Sequence, residues 1–289
     1  MNHQWVLVAC ASFKGTLSSR SAGQSIARGL EQAGIPSRVV ALADGGEGLV
    51  EALVPQIPGA YFVETAVRGP LLDPVVARFG VAPPLDAAAV ILEMAAGSGL
   101  SLVEESRRDP KRTTTLGVGD QIRAALELPH IRVKRILVGI GGSATNDGGA
   151  GMARALGARF LDKHGRELPY GGAALAHLER VDVSGLDKRL GAVEWTVACD
   201  VTNPLCGPNG ASFVYGPQKG ATAEDVRLLD DALGHYADVL ERDLGAHVRD
   251  AVGAGAAGGL GAGLVAFCNA KLVSGIDVVL DTLRFDDLL

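Results

Sequence analysis

Residues 138–151 run Val-Gly-Ile-Gly-Gly-Ser-Ala-Thr-Asn-Asp-Gly-Gly-Ala-Gly, from the end of an apolar strand through a glycine-rich loop into a helix, an arrangement that can hold phosphate. Glycines let the backbone approach an anion, and the N–H groups and positive end of the following helix supply the attraction. Ser143, Thr145, Asn146 and Asp147 add hydroxyl, amide and carboxylate groups to the same loop. Gly141, Gly142, Ser143 and Asn146 are therefore expected to contact the anion. A plain strand-to-helix turn would need fewer polar side chains.

Other residues could join that chemistry. Lys14 lies in a loop after the first strand, among the hydroxyl residues Ser12 and Thr16, where an ammonium could meet phosphate or a carboxylate. It is not a Walker lysine, because the G-x-x-x-x-G-K-[ST] frame is absent. Asp44, followed by Gly45 and Gly46, and Asp200, followed by Asn203, each close an apolar strand. Arg107, Arg108, Lys111 and Arg112 form the dense basic patch of the chain, and Thr113, Thr114 and Thr115 follow it. Arg107 and Arg108 read as a solvated face, whereas Arg112 with Thr113 and Thr114 suits a clamp on carboxylate or phosphate. Gln218 and Lys219 sit between Pro217 and Gly220, in a loop from which Lys219 could reach phosphate.

The elements that must position these groups are legible from periodicity. Residues 5–9 read as a buried strand, 10–17 as a loop and 19–33 as a helix stopped by Gly34. A strand over 37–42 and a helical segment over 49–53 complete a β-α-β-α start, which argues for a parallel, helix-flanked sheet with ligands beyond the strand C-termini. From residue 61 the pattern changes to strands over 61–67, 75–82 and 88–93, separated by turns with proline. Helices follow over 95–103, 117–126 and 150–156, with strands over 133–140 and 193–199. Thr222 to Asp225 resembles a capping box and opens a helix to residue 244.

Composition narrows the class. At 289 residues the chain can bury a sizeable core, and two domains are expected. Hydrophobic residues at 47% and charged residues at 21% fit a soluble globular protein, and a formal charge of -6 argues against nucleic acid or anionic membrane as the main partner. Cys10, Cys199, Cys206 and Cys268 show no C-x-x-C pairing and the histidines no metal spacing, so a reduced, cytoplasmic protein without zinc is expected. The N-terminus lacks a secretory pattern. The uncharged run 251–270 is long enough for a membrane span, but it is rich in Gly and Ala and reads as a buried loop and helix.

Six stretches in this order resemble the type I glycerate kinases: SFKGTLS at 12–18, ADGGEG at 43–48, GIGGSATNDGG at 139–149, ACDVTNPLCG at 198–207, YGPQKG at 215–220 and GAGAAGG at 253–259. The resemblance covers the whole chain. It implies a kinase that moves phosphate from ATP to D-glycerate with Mg²⁺, giving 2-phosphoglycerate rather than 3-phosphoglycerate, at a site between two domains. The α/β fold it implies has a Rossmann-like parallel-sheet domain begun by residues 1–68, a mixed α/β domain over 69–280 and a return towards the first domain at 281–289. Family members continue well past residue 281, so the first domain is expected to be incomplete here. Its exposed apolar surface would favour a homo-oligomer and impair activity.

A kinase must neutralise charge on the transferred group, position the attacking hydroxyl and hold Mg²⁺ between phosphate oxygens. On those requirements Lys14, Asp44, Asp147 and Asp200 are the catalytic candidates, with Asp44 and Asp200 as Mg²⁺ ligands. Ser12, Gly45, Gly46, Arg112, Thr113, Thr114, Gly141, Gly142, Ser143, Asn146, Asn203, Gln218 and Lys219 are candidates for binding substrate and nucleotide. Which of the three acids is the base stays open, and Asp147 also reads as an Asx-turn stabiliser. Two rival readings remain. Gly253, Gly255 and Gly258, with Asp277 downstream, fit a dinucleotide fingerprint and suggest an NAD(P)-dependent oxidoreductase. A non-catalytic binding remnant is the other.

Overall fold

The computed structural model describes residues 5–13 and 16–288. Strands β1 (Val6–Cys10) and β2 (Ser37–Ala41) pair in parallel through helix α1 (Ser19–Gln32), with Cys10 beside Ala41. Ser18 opens α1 by accepting the Ser21 N–H, and the left-handed Gly34 follows its end. The short helix α2 (Leu49–Leu53) comes next.

Six further strands build a mixed sheet: β3 (Tyr61–Arg68), β4 (Pro74–Ala82), β5 (Ala88–Glu93), β6 (Val133–Gly139), β9 (Glu194–Ala198) and β10 (Lys271–Val273). The strand order is β10-β9-β6-β5-β4-β3, with β5, β6, β9 and β10 parallel and β4 antiparallel to both β5 and β3. The sheet therefore begins at Tyr61 rather than after residue 68. Strands β7 (Arg159–Leu161) and β8 (Arg180–Asp182) form a separate antiparallel pair.

Helices α3 (Ala95–Ser98), α4 (Leu116–Leu126), α5 (Ala150–Ala155), α6 (Ala211–Tyr215), α7 (Ala223–Leu244), α8 (Ala256–Cys268) and α9 (Gly275–Leu283) cover the strands. The helix expected over 95–103 is α3 followed by a 3₁₀ turn at Leu100–Leu102, because Gly99 takes an extended conformation between them. The capping box at Thr222 and Asp225 is present, with each residue's side chain accepting the other's backbone N–H. Helix α7 buries Leu229, Leu233, Tyr236 and Leu240 at three- and four-residue spacing. Leu233, Tyr236 and Leu240, together with Phe160, Phe267, Met152 and the inward valines of β5, β6 and β9, form the main core.

The apolar run 251–270 becomes α8 and its buried approach, and among the described residues no helix is long and apolar enough to cross a membrane. Helix α8 opens with three left-handed residues, Ala257, Gly258 and Gly259. Gly258 lies against the Thr145 carbonyl so closely that a Cβ could not be accommodated, and its own carbonyl accepts the Gly148 N–H at 3.0 Å. This removes the dinucleotide fingerprint: the element before Gly253 is helix α7 rather than a strand, and Gly255 and Gly258 serve close packing against Pro204 and Thr145 rather than a pyrophosphate turn.

Candidate active site at the strand C-termini

The register aligns the ends of the parallel strands. Glu93 of β5 lies beside Gly139 of β6, Gly139 beside Ala198 of β9, and Ala198 beside Val273 of β10. The loops leaving these ends meet the loop after β2. The Gly141 N–H donates to the Gly45 carbonyl at 3.2 Å, and Gly141 packs against the Gly46 Cα. Gly45 has φ +85° and lies against Ala198, where an added Cβ would come within 2.6 Å of the Ala198 Cβ. In open α/β sheets ligands bind beyond such ends.

Two exposed carboxylates stand at this junction. Asp44 Oδ1 accepts the Gly46 N–H at 3.1 Å, an Asx turn that shapes its loop. Asp200 Oδ1 accepts the Gly275 N–H at 2.8 Å and the Ser274 hydroxyl at 3.3 Å, so it faces the N-terminus of α9. Gly275 itself is wedged against the Asp44 carbonyl, with Asp200 Oδ2 2.9 Å from where a Cβ would stand. Asp44 Oδ2 and Asp200 Oδ2 accept no hydrogen bond among the described residues.

The part of the glycine-rich loop that faces the junction is short. Gly142 is exposed, Gly141 half-buried and Ser143 nearly buried, where it bridges Gly99. Beyond Ser143 the loop turns into the interior, so the anion contact expected of Asn146 is not presented at the surface. Asp147 is 1% exposed and accepts five hydrogen bonds: from the Thr114 hydroxyl, the Thr115 hydroxyl and N–H, and the N–H groups of Gly149 and Gly151. Burial pushes its carboxyl above the usual carboxylate range, opposed by those bonds. Asp147 ties α5 to the start of α4 and is not free to ligate a metal, which corrects its place among the catalytic candidates.

Four binding candidates share that buried cluster. Thr113 donates to the Ala144 carbonyl at 2.8 Å, Thr114 to Asp147, and the Asn146 amide to the Ser212 hydroxyl at 2.9 Å. Lys219, expected in a loop from which it could reach phosphate, is 1% exposed and donates to the Thr145 carbonyl at 2.7 Å. Burial lowers its ammonium to about 7, with the Asp147 carboxylate opposing the shift. These side chains shape the loop from beneath rather than present themselves to a ligand at the surface.

The remaining described candidates lie outside that buried cluster. Ser12 is exposed just past the end of β1, at the same sheet edge as the Asp44 loop. Lys14 lies outside the described residues. Arg112 is exposed and makes no ion pair among the described residues, whereas Arg107 pairs with Asp73 at 2.9 Å and Lys111 with Asp225 at 2.6 Å. Gln218 is exposed, and Asn203 is engaged in its own loop, donating to the Asn209 carbonyl and accepting the Tyr215 hydroxyl.

Sequence reasoning missed Glu93 and Ser274. Glu93 is the last residue of an apolar strand and carries no motif, yet its carboxylate accepts the N–H groups of Gly48 and Val50 at 3.1 and 2.5 Å. Ser274 has a readable signal, Ser-x-x-Asp to Asp277 ahead of an apolar helix, and it caps α9.

The sequence profile of the glycerate kinase family matches residues 6–289. A glycerate kinase of Bacillus subtilis (strain 168) is 49% identical over 98% of this chain and 73% of its own length. The glycerate 2-kinase of Escherichia coli (strain K12) is 46% identical over 98% of this chain and 73% of its own. A crystal structure of a protein assigned as glycerate kinase 2 from Salmonella typhimurium LT2 superposes with a TM-score of 0.89 at 46% identity, covering 99% of this chain and 75% of that one.

Proposed function

The chain belongs to the glycerate kinase family, and we propose that its reaction centre is the junction of the Asp44 loop, the Gly141–Gly142 turn, Asp200 and the N-terminus of α9. The chain is a glycerate kinase, a phosphotransferase that uses ATP. The single observation that carries the placement is the meeting of Asp44 and Asp200 at Gly275, beyond the ends of the parallel strands.

In the reaction the glycerate hydroxyl oxygen forms a bond to the terminal phosphorus of ATP, the bond from that phosphorus to the bridging oxygen breaks, and ADP leaves. The hydroxyl proton passes to a carboxylate, for which Asp44 and Asp200 are the candidates at the junction. The backbone N–H of exposed Gly142 faces the phosphates, with the Gly141 N–H holding the turn on the Gly45 carbonyl, and exposed Arg112 faces negative charge on the substrate or nucleotide. The 2-hydroxyl is the proposed acceptor, in keeping with the name of the Escherichia coli relative.

Mg²⁺ fits the donors present. Both carboxylates are hard oxygen ligands with an oxygen that accepts no hydrogen bond among the described residues, and no group of three metal-binding side chains occurs there. That matches a cation held by one or two carboxylates, with substrate phosphates and water as its other ligands. Mg²⁺ would neutralise charge on the phosphate oxygens when bound.

We read β1, α1 and β2 as a Rossmann-like βαβ unit and the six-stranded sheet as the base of a second unit, with the centre between them. The parallel pairing of β1 with β2 across α1 supports that division. The functional experiment is ADP release with Mg²⁺-ATP and D-glycerate for the wild type, Asp200→Asn and Asp44→Asn, each shown to be folded. Loss of turnover in the variants supports the placement, and full turnover in both removes it.

A further inference from the structure

We infer that Glu93 is a positioning residue for the reaction, whose carboxylate reaches from the end of β5 to hold the downstream end of the Asp44 loop. The inference rests on the placement of Asp44 at the reaction centre.

Helix α2 needs an external cap. It is five residues long, too short to persist alone, and its N-cap position is Gly48 at φ +97°, which has no side chain to offer. Glu93 supplies what the local sequence lacks. Its Oε2 accepts the Gly48 N–H at 3.1 Å and its Oε1 the Val50 N–H at 2.5 Å, so one carboxylate spans the first turn. A carboxylate there also meets the positive end of the helix dipole.

The base of this arm is rigid. Glu93 is 8% exposed, sits in register beside Gly139, and its carbonyl accepts the Gln121 side-chain amide at 3.3 Å. Below the carboxylate, Leu49, Val50, Leu53 and Val54 pack with Ile91 and Val279. Upstream, Gly45 is fixed against Ala198 and Gly141. The stretch between Gly45 and Gly48, whose first turn is set by Asp44, is thus clamped at both ends. One clamp is backbone packing, and the other is the Glu93 side chain. The charged groups that face Glu93 are Glu47 from the loop itself and Arg78 from β4, and burial pushes the Glu93 carboxyl up.

A cap that only stabilises α2 would lower the melting temperature without acting through Asp44. A positioning residue acts on turnover through Asp44, and a double-mutant cycle separates the two. Glu93→Gln keeps the shape but turns one acceptor into a donor facing an N–H. The expected result is a loss in kcat of about tenfold or more for E93Q, with KM for D-glycerate changed far less. The double variant E93Q/D44N should be no slower than D44N alone within about twofold. If E93Q does not fold, Glu93→Asp, which keeps the charge on a shorter arm, carries the same cycle. Unchanged kcat in the folded variant, or losses that multiply with D44N, would overturn the inference while leaving Asp44 in place. Full turnover in D44N alone would instead overturn the placement of Asp44, and the inference with it.

Discussion

Asp200 accepts the backbone N–H of Gly275 at 2.8 Å, and through that bond the end of β9 is joined to the start of α9 at the point where the Asp44 carbonyl also lands. One carboxylate oxygen is thereby spent on the fold while the other faces the junction. That division of labour makes the consequences of substitution distinguishable.

Asp200→Asn retains an oxygen to accept the Gly275 N–H but loses the charge. Turnover should fall by about 10²- to 10⁴-fold while the melting temperature shifts by only a few degrees. Steady-state ADP release and a thermal melt on the same preparation check both halves. A variant that melts normally and turns over normally takes Asp200 out of the reaction.

Asp147→Asn should behave in the opposite way. An amide nitrogen would point at hydrogen-bond donors in a fully buried cluster, at a cost of about 3 kcal/mol or more. Urea unfolding checks this. A variant within about 1 kcal/mol of wild type that had nonetheless lost turnover would return Asp147 to the catalytic residues.

The contrast between these two acids shows what the sequence discloses and what it hides. Each follows an apolar strand within a glycine-bearing motif, and nothing local separates them. The difference lies in partners: Asp147 meets Thr114 and Thr115 more than thirty residues upstream, and that pairing draws the loop inward. The run Thr113 to Thr115 ahead of an apolar helix was the available signal. Regular elements were legible because their periodicity is local, so 49–53 and 88–93 match the observed helix and strand end to end. The three-residue strands β7, β8 and β10 were not, since three residues carry no period. Glu93 was invisible because its bonding partners lie at the start of helix α2, more than forty residues away.

Lys219 gives a pH-dependent signature. Its folded value of about 7 lies below the ordinary 10.5, so the unfolded chain binds a proton that the native state does not between those values. Native stability from this group is therefore highest above pH 10.5 and is lost as pH falls towards 7. Lys219→Met removes that slope, which is about 1.4 kcal/mol per pH unit. Denaturant midpoints of both proteins from pH 7 to 10 test it. Parallel curves would show that Lys219 is protonated throughout.

Gly45→Ala places a Cβ about where Ala198 already stands, on a backbone at φ +85°. The variant should lose about 1–3 kcal/mol of stability and turnover as well, because the Asp44 loop must move off β9. Wild-type turnover in this variant would mean that the close approach of the loop to Ala198 has no part in the reaction.

The most direct test of the account is ADP release by the purified chain with Mg²⁺-ATP, with and without D-glycerate, followed by identification of the phosphorylated product. The account predicts release that depends on D-glycerate, 2-phosphoglycerate as product, and loss of both in folded Asp200→Asn. No glycerate-dependent release from a folded wild-type chain, or equal release from the Asp200→Asn variant, would contradict it.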